Sequence, residues 1–376
     1  MFNRGQNPPT VRRLVYIAEK EDEGRTVRDV LQKEWHLVHH DLARAKYDTE
    51  NGITVNGEVS FVNRRLKEGD TLVFLLADAP SETSVPARGP LTVLYEDEDL
   101  IAVDKPAGVL VHPSHGHFSD TMANFVAGYF QEKGEAHGIR TVGRLDKDTT
   151  GVLLFAKSRS AVAALNYRRK CEKTYFALFS GNFPADALSG EVDVPLGPVP
   201  GEKTRQMVTS DGKPALTRYR VLWQGDGYGL LEAKIDTGRT HQIRVHLSYL
   251  GHPLLGDPLY GEDAGACDQH IAARCGDPPY GEGAGAARRG EKKAGENSKE
   301  PDGKNSGQGP AVRDTMYGGE RGENSRWGLS RTALHAGILE LTQPFTGARI
   351  CVESPLPADM AALLPEELAG LWRRRI

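Results

Sequence analysis

Cysteine is scarce in this sequence, and the patterns that build disulfide frameworks or zinc sites are missing. Its 376 residues contain four cysteines, Cys171, Cys267, Cys275 and Cys351. They form no CxxC pair and no Cys/His cluster with the spacing of a zinc site. We therefore predict free thiols, a reducing compartment and no bound metal.

Long apolar runs and an excess of positive charge are missing as well. No stretch approaches the roughly 18 to 20 apolar residues that a membrane-spanning helix needs, and the first residues, MFNRGQNPPTVRR, lack the apolar core of a signal peptide. These absences favour a cytoplasmic protein that has no membrane partner. Because the formal net charge is -4, a nucleic acid would bind only where basic residues gather on one face.

The N-terminal part of the sequence predicts a small mixed module followed by a linker. LVYIAEK (14–20) is typical of a strand, and the apolar residues between Thr26 and His36 recur with the spacing of one helical face. Asn-Gly turns flank the short strand ITV, and the turn KEGD precedes the strand TLVFLL. We predict a module over 12–78 and a linker rich in proline, serine and small residues over 79–90.

The rest of the chain predicts a larger α+β domain with a large, mostly antiparallel mixed sheet flanked by helices. Apolar runs with strand character alternate with helical patterns around 119–133, 159–170 and 239–250. The strand-like runs are LTVLYEDEDLIAVDKPAGVLVHP, GVLLFAKS, KTYFALFSG, ALTRYRVLWQ and YGLLEAKIDTG. We expect this domain to comprise residues 91–261 and 329–376.

A polar segment separates the two parts of this domain. Residues 262–328 are dominated by glycine, lysine, glutamate, asparagine and serine, and large apolar residues are scarce. GDPLYGEDAGA (256–266) recurs as GDPPYGEGAGA (276–286), which indicates a local duplication. Because such a segment cannot bury enough apolar surface to offset its ordering entropy, we expect a disordered insertion.

The stretch TVGRLDKDTTGVLLFAKS (141–158) contains a candidate catalytic carboxylate. Asp146 lies in a loop just before an apolar strand, and such a loop is a reasonable location for a nucleophile or base. The following residues Asp148, Thr149 and Thr150 are also typical of a turn in which side chains bond their own backbone. Taken alone, this stretch is compatible with a catalytic loop and with a simple turn.

The stretch DTGRTHQIRVHLSYLGHPLLGDPLYG (236–261) is rich in cationic side chains. Arg239, His241, Arg244 and His246 lie close together, and helical steps of three and four residues would bring some of them to one face. Arg244 could hold a buried carboxylate through charge-assisted bonds, although a phosphate-binding or solvated basic helix fits equally well. The two histidines are spaced as HxxxxH, which does not suit a helical metal pair.

A third stretch, CEKTYFALFSG (171–181), contains Tyr175 within an aromatic strand. A tyrosine in that setting is usually part of a core, because its ring buries a large apolar area. Nothing in the local pattern marks Tyr175 as catalytic.

Together these stretches resemble the RluA-type family of RNA pseudouridine synthases. Five segments match the family's motifs in the family's order. They are the Arg-Leu-Asp-x-x-Thr-Ser/Thr-Gly motif at Arg144 to Gly151, the Lys-x-Tyr strand at Lys173 to Tyr175, GRTHQIRVH at Gly238 to His246, VDKPAGVLVHP at 103–113 and RTALHA at 331–336.

The resemblance covers about residues 91–356 without the insertion, and it includes two departures. Many members of the family carry histidine where this chain has Gly143, directly before the Arg-Leu-Asp motif. The long insertion after Tyr260 is also unusual. The first does not affect the expected nucleophile, and the second concerns the rim of the expected RNA cleft.

The resemblance implies an isomerase that acts on uridine in RNA without a cofactor or metal. Such an enzyme breaks the N1–C1′ bond, rotates the uracil and joins C5 to C1′. The family match implies that Asp146 is the nucleophile and that Arg244 forms an ion pair with it, which keeps the acid charged. It also implies that Tyr175 stacks on the uracil and assists proton removal from C5.

The same resemblance implies a set of substrate-binding residues. The target nucleotide must leave its stack to be reached, and Arg144 matches the family residue that occupies the vacated space. Ile243 is expected to form an apolar wall against the base. Leu145 and His241 are expected to contribute to substrate binding as well.

The expected partner is RNA, and the expected protein is a monomer. The module over 12–78 resembles the α-L RNA-binding domain that often accompanies enzymes acting on large-subunit ribosomal RNA, so this RNA is favoured over transfer RNA. Two alternative functions outside this family remain open from the sequence. One is a catalytically silent RNA-binding assembly factor, and the other is an unrelated hydrolase that uses Asp146 with His241.

Overall fold

The structure is a computed structural model that describes residues 10–47, 49–77, 84–168, 171–261 and 327–368. Every helix within these ranges is too short or too polar to span a lipid bilayer. Most of the described strands belong to two sheets, one of four strands and one of ten. The α+β class expected from the sequence is confirmed.

The four-stranded sheet and two helices form the N-terminal part of the molecule. The elements are β1 (Val11–Ile17), α1 (Val27–Lys33), α2 (His39–Tyr47), β2 (Ile53–Val55), β3 (Glu58–Val59) and β4 (Thr71–Ala77). The sheet is antiparallel with the order β1-β4-β2-β3. Thr26 and Asp29 form a capping box that begins α1. Both helices pack on the sheet around a core that includes Leu31, Leu42 and Phe74.

The ten-stranded sheet and its helices form the larger part of the molecule. Its elements, with a small separate sheet of β11 and β12, are β5 (Thr92–Glu96), β6 (Leu100–Lys105), α3 (Met122–Glu132), β7 (Arg140–Val142), β8 (Thr150–Ala156), α4 (Arg159–Arg168), β9 (Cys171–Ser180), β10 (Ser189–Asp193), β11 (Leu196–Pro198), β12 (Gln206–Val208), β13 (Leu216–Gly225), β14 (Tyr228–Ile235), α5 (Gln242–Tyr249), β15 (Leu334–Thr342), β16 (Arg349–Glu353) and α6 (Ala358–Ala361).

The strand order of this sheet brings distant parts of the chain together. The order is β10-β13-β14-β9-β15-β8-β6-β5, with β16 beside β15 and β7 beside β8. Among the described strands, β8 and β15 form the one parallel pair, in which His335 lies opposite Thr150. The mostly antiparallel sheet predicted from the sequence is therefore confirmed. The segment that follows the insertion supplies β15, a strand at the centre of the sheet.

Strand β8 shows how the sheet is stabilised. Every residue of β8 is buried, because apolar layers cover both faces of the sheet at this point. Leu153 and Phe155 pack into one core, whereas Val152 and Leu154 pack into another. This alternation follows from the two-residue period of a strand. It also explains why β8 reads as a continuous apolar run rather than an alternating pattern.

Some predicted boundaries differ from the structure. The helical pattern over 239–250 becomes a helix only at Gln242, because His241 adopts a left-handed backbone conformation with φ of 56°. The pattern from Thr26 to His36 yields the shorter α1, and α2 follows as a helix that the sequence did not predict.

Two predicted segments lie partly or largely outside the described residues. The insertion expected over 262–328 is described only from Trp327 onward, and that side chain packs against Tyr228 with ring centroids 4.7 Å apart. The linker expected over 79–90 is described from Ser84 onward. The predicted disorder of the insertion therefore stays a prediction.

Candidate active site

Three separate segments of the larger part of the molecule supply most of the lining of a cleft of about 320 Å³. They are the loop between β7 and β8, the first part of β9, and the start of α5 with the turn before it. Leu145, Tyr175 and Ile243 come one from each segment and belong to the same hydrophobic core. The cleft is lined by all the site residues predicted from the sequence: Arg144, Leu145, Asp146, Tyr175, His241, Ile243 and Arg244.

A larger cavity, of about 570 Å³, lies between the N-terminal sheet and the ten-stranded sheet. Its charged side chains pair with one another. Glu96 accepts hydrogen bonds from Lys133 at 3.0 Å and Lys157 at 2.7 Å, and Arg12 donates to Asp99 at 3.1 Å. None of the predicted site residues lines this cavity. The candidate catalytic residues therefore lie in the smaller cleft and not in the larger cavity.

Asp146 lies in the tight loop that leads from β7 into β8. Its side chain is 18% exposed, and its Oδ2 is 3.5 Å from Nη1 of Arg244 and 3.9 Å from Nε2 of His241. The backbone N–H of Thr149 donates to the carbonyl oxygen of Asp146 at 3.2 Å, which closes the turn. Because both side-chain contacts are long, the carboxylate is close to the guanidinium of Arg244 and the ring of His241 but is not held in a short bond by either.

A buried lysine supports this loop from behind. Lys105 is fully buried, and its Nζ donates to the carbonyl oxygens of Pro106, Lys147 and Thr149 at 2.8, 2.6 and 3.0 Å. Burial lowers the pKa of Lys105 to about 7. The VDKPAG motif therefore contributes a cross-link that orients the carbonyl groups of the Asp146 loop.

The end of the loop explains why the motif closes with glycine. Gly151 has φ of 105°, and a Cβ there would lie 2.2 Å from the carbonyl oxygen of Ala336 on β15. A side chain would push β8 and β15 apart. Thr150 Oγ1 and His335 Nδ1 are 2.9 Å apart and also join the two strands. The RTALHA motif thus lies directly behind the Asp146 loop.

The main partner of Arg244 differs from the one that the sequence predicted. We expected an ion pair with Asp146, but the shorter contacts go to Asp257. Nε donates to Oδ2 of Asp257 at 2.7 Å, and Nη2 donates to Oδ1 at 2.8 Å. The remaining nitrogen of the guanidinium, Nη1, lies 3.5 Å from Oδ2 of Asp146. The single ion pair expected from the sequence is therefore a three-member cluster in which Asp257 provides the stronger bonds.

This cluster is almost completely enclosed. The side chain of Asp257 is 0% exposed and that of Arg244 is 7% exposed. Oδ1 of Asp257 also accepts hydrogen bonds from the backbone N–H groups of Leu259 and Tyr260 at 2.9 and 3.2 Å. Burial alone would lower the pKa of Arg244, but the bonds and charge of Asp257 raise it above its ordinary value. The guanidinium is therefore a permanent, oriented positive charge.

Tyr260 contacts both Arg244 and His241. Its ring centroid lies 5.1 Å from Cζ of Arg244. Its hydroxyl accepts a hydrogen bond from the N–H of Gln206 at 2.8 Å and lies 2.9 Å from Nδ1 of His241. If that hydroxyl donates to Nδ1, the network assigns the His241 proton to Nε2, the nitrogen that faces Asp146. Burial lowers the pKa of His241, so its ring is neutral at neutral pH.

Tyr175 lies deep in the cleft on β9. It is 5% exposed, and burial, with a smaller contribution from the charge of Asp146, raises the pKa of its hydroxyl above the ordinary value. At neutral pH Tyr175 is therefore a phenol and not a phenolate. The aromatic strand is a core element, as its pattern suggested, and it also presents this one ring to the cleft.

The remaining predicted residues occupy different depths of the cleft. Arg144 is exposed at its edge, whereas Leu145 is 6% exposed and Ile243 is 4% exposed. The two apolar side chains therefore belong to the wall of the cleft, and the guanidinium of Arg144 remains available to a ligand.

The two histidines of the basic motif do not share a site. His246 is buried away from the cleft, with Nδ1 2.8 Å from Oγ1 of Thr217 and Nε2 3.1 Å from the carbonyl oxygen of Val194. His241 faces Asp146 instead. In the part of the chain that the structure describes, no cluster of three His, Cys, Asp or Glu side chains could hold a metal ion.

Asp257, Tyr260 and Lys173 are candidate functional residues that the sequence reasoning did not assign. The signal for the first two is the segment GDPLYG, which holds an acid and an aromatic next to the basic motif. The sequence analysis included this segment in the basic stretch but assigned no role to either residue. Lys173 belongs to the recognised Lys-x-Tyr strand, but no role followed from the sequence.

Comparison with known proteins identifies the family. A family model described as "RNA pseudouridylate synthase" matches residues 99–249. The chain is 34% identical to the ribosomal large subunit pseudouridine synthase D of Nitrosomonas europaea, over 83% of this chain and 76% of that protein. It is 31% identical to the uncharacterized RNA pseudouridine synthase YhcT of Bacillus subtilis, over 83% of each chain.

A solved structure, human RNA Pseudouridylate Synthase Domain Containing 4, is a more distant match. Its TM-score is 0.46 at 22% identity, over 75% of this chain and 92% of that one. The sequence relatives are the stronger finding: the chain belongs to the RNA pseudouridine synthases, in the RluA-type family. It is an isomerase that converts uridine in RNA to pseudouridine.

Proposed function

We propose that this enzyme modifies large-subunit ribosomal RNA and uses Asp146 as its catalytic carboxylate. The substrate is inferred from the relative in Nitrosomonas europaea, which is named for that RNA. One observation carries the catalytic assignment: the partly exposed carboxylate of Asp146 faces a cleft, 3.5 Å from a guanidinium that Asp257 already anchors. Transfer RNA is the alternative substrate, and pseudouridine mapping distinguishes the two.

The geometry suits a carboxylate that must stay charged and must also move toward the ribose. Asp146 either attacks C1′ or removes a proton from the sugar, and both routes need the ionised acid. The charge of Arg244 stabilises that form, whereas Asp257 takes up two of the guanidinium's donors. Asp146 therefore receives electrostatic support without being tied in a short bidentate pair.

We assign Tyr175 to the base itself. Its ring can stack on the uracil while the N1–C1′ bond breaks and C5 joins C1′. Because burial keeps its hydroxyl protonated at neutral pH, Tyr175 can take up the proton that leaves C5 only as it gives its own proton to the neighbouring Asp146 carboxylate, so that the phenol is regenerated. His241, neutral and 3.9 Å from the Asp146 carboxylate, is proposed to help orient that acid.

The mouth of the cleft suits a flipped nucleotide. Extrusion of a base costs a few kcal/mol of stacking and pairing energy, and Arg144, exposed at the cleft's edge, is proposed to occupy the vacated space. Leu145 and Ile243 are proposed to form the apolar wall beside the uracil. The reaction that these residues support needs no cofactor or metal.

We propose that residues 12–78 are an RNA-binding module joined through 79–90 to a catalytic domain of 91–261 and 329–376. Arg12 of this module donates to Asp99 of the larger domain at 3.1 Å, so this arginine contributes to the contact between them. The protein is proposed to act as a monomer in the cytoplasm, without a membrane partner.

Mapping of pseudouridines by carbodiimide modification tests the substrate assignment. RNA from a strain that lacks this gene should lose one or more pseudouridines in large-subunit ribosomal RNA and regain them when the gene is restored. A loss confined to transfer RNA would show that the ribosomal assignment is wrong. Restoration with the Asp146→Asn variant should fail, which controls for a non-catalytic effect of the protein.

Arg244→Lys tests the role of the guanidinium. A lysine can bond Asp257, but it lacks the planar fork that also reaches Asp146. Because small displacements of a catalytic group are costly, turnover should fall on the order of 10²-fold while RNA affinity changes little. Single-turnover kinetics and equilibrium binding would measure the two effects. Arg220→Lys, at an exposed arginine that pairs with Glu232 outside the cleft, is the matched control and should change neither value. A loss confined to affinity would make Arg244 a phosphate contact.

A further inference from the structure

One buried cation in the cleft has no role in the chemistry proposed above. Lys173 lies on β9 two residues before Tyr175, so both side chains project from the same face of the strand. Both line the cleft. The Nζ atom of Lys173 is buried and has no hydrogen-bond partner among the described residues.

An unpaired buried ammonium is energetically costly, and proteins rarely retain one without a function. Burial lowers the pKa of Lys173 to about 8, so most molecules still carry the charge at neutral pH. In the free protein, none of the described carboxylates pairs with this ammonium, although it lies in the substrate cleft. A negatively charged ligand would complete its hydrogen bonds and offset the desolvation cost.

The space next to Lys173 opens toward the mouth of the cleft. Gly143 is exposed, with φ of 74°, and a Cβ there would meet only Nζ of Lys173, at 4.0 Å. The absence of a side chain at Gly143, where many family members carry histidine, leaves an open position 4.0 Å from the ammonium. Because Nζ itself is enclosed, contact with a ligand there requires the flexible stem of the lysine to turn toward this position. Arg144, the next residue, is exposed on the same rim.

We infer that Lys173 binds a backbone phosphate of the target nucleotide, an inference that rests on the proposed site around Asp146. Two residues along a strand span about 6.8 Å, a separation comparable with that between a base and its own phosphate. A uracil stacked on Tyr175 would thus bring a phosphate close to Lys173. Lysine suits such a contact, because it binds phosphate as a point charge.

The salt dependence of catalysis distinguishes a phosphate contact from other roles. Transcripts of large-subunit ribosomal RNA labelled with tritium at C5 of uridine would release tritium as pseudouridine forms. With Lys173→Met, kcat/KM should fall about tenfold at low salt. The slope of log kcat/KM against log salt concentration should become shallower by about 0.7 to 0.9, the value for one phosphate contact. Lys173→Arg should restore the slope.

A matched control is available on the neighbouring strand. Lys234 is exposed on β14 and pairs with Thr174, so it lies on the opposite face of the sheet from Lys173. Lys234→Met should leave both kcat/KM and the slope unchanged. Lys173→Met should also raise the thermal midpoint of the RNA-free protein, because it removes an unpaired buried charge, so that loss of activity could not be assigned to unfolding.

Two results would overturn the inference. A fall in kcat with an unchanged salt slope would mean that Lys173 acts on the uracil, and unchanged kinetics with only a higher thermal midpoint would mean that it has no substrate contact. If the unaltered protein releases no tritium from ribosomal transcripts, the ribosomal substrate is wrong. The slope of log kcat/KM against log salt concentration is then compared between the unaltered protein and Lys173→Met on transfer RNA transcripts. This comparison tests the phosphate contact separately from the choice of RNA substrate.

Discussion

Replacement of Asp146 by asparagine should abolish pseudouridine formation while RNA binding persists. An amide has nearly the same shape as the carboxylate, but it can neither attack C1′ nor accept a sugar proton. Removal of a catalytic nucleophile typically costs on the order of 10⁴-fold or more in turnover. We expect a loss of at least that size in tritium release.

The fold should tolerate this change, because Asp146 is not a structural anchor. Its contacts with Arg244 and His241 are 3.5 and 3.9 Å long, and Arg244 keeps its two short bonds to Asp257. The turn is closed by a backbone bond to Thr149, which the substitution leaves in place. Thermal unfolding and RNA affinity should therefore remain close to those of the unaltered protein.

A second carboxylate near the cleft supplies the matched control. Asp236 is 49% exposed and pairs with Arg218 at 2.6 Å, so Asp236→Asn makes the same chemical change without touching Asp146. That variant should remain active. If Asp146→Asn were instead as active as Asp236→Asn on the same transcript, the assignment of Asp146 would be refuted.

The largest effect on stability is expected from Asp257→Ala. This substitution leaves the guanidinium of Arg244 buried without its two short bonds, and breaking one side of a buried ion pair typically costs about 3–5 kcal/mol. The backbone N–H groups of Leu259 and Tyr260 also lose their acceptor. Turnover should fall as well, because Arg244 would no longer be oriented beside Asp146.

A second bidentate ion pair provides a reference for the size of this loss of stability. Arg331 donates to Asp359 at 2.7 and 2.8 Å, but the Asp359 side chain is 41% exposed. Because water can replace an exposed carboxylate, Asp359→Ala should cost only about 1 kcal/mol. Chemical denaturation of both variants measures the difference. Equal losses would show that the burial of Asp257 does not set the strength of the Arg244 cluster.

The local patterns of the sequence predicted much of the fold. Strands such as β8 and β9 were recognisable because their apolar runs are long and bounded by turn residues, and helix α3 because its apolar residues follow the helical period. The start of α5 was misplaced by a few residues. Its N-terminal residue His241 adopts a left-handed conformation that no propensity for histidine would suggest.

The linear motifs also predicted which residues would meet. Asp146, Tyr175 and Arg244 come from three segments, and the structure brings all three to one cleft. Their chemical partners were less accessible to sequence reasoning. The Arg244–Asp257 pair depends on how the turn after α5 folds back on that helix, and neither residue lies at a spacing that would mark it as a pair.

The sequence by itself determined the family, the α+β class and the identity of the candidate acid, because these follow from contiguous motifs and from the period of apolar residues. Only the tertiary structure decided that Arg244 bonds Asp257 more closely than Asp146, and that the ammonium of Lys173 is left unpaired beside Gly143. Burial and distance set the strength of a charge interaction. Both arise from strand order and packing between segments that lie far apart in the chain.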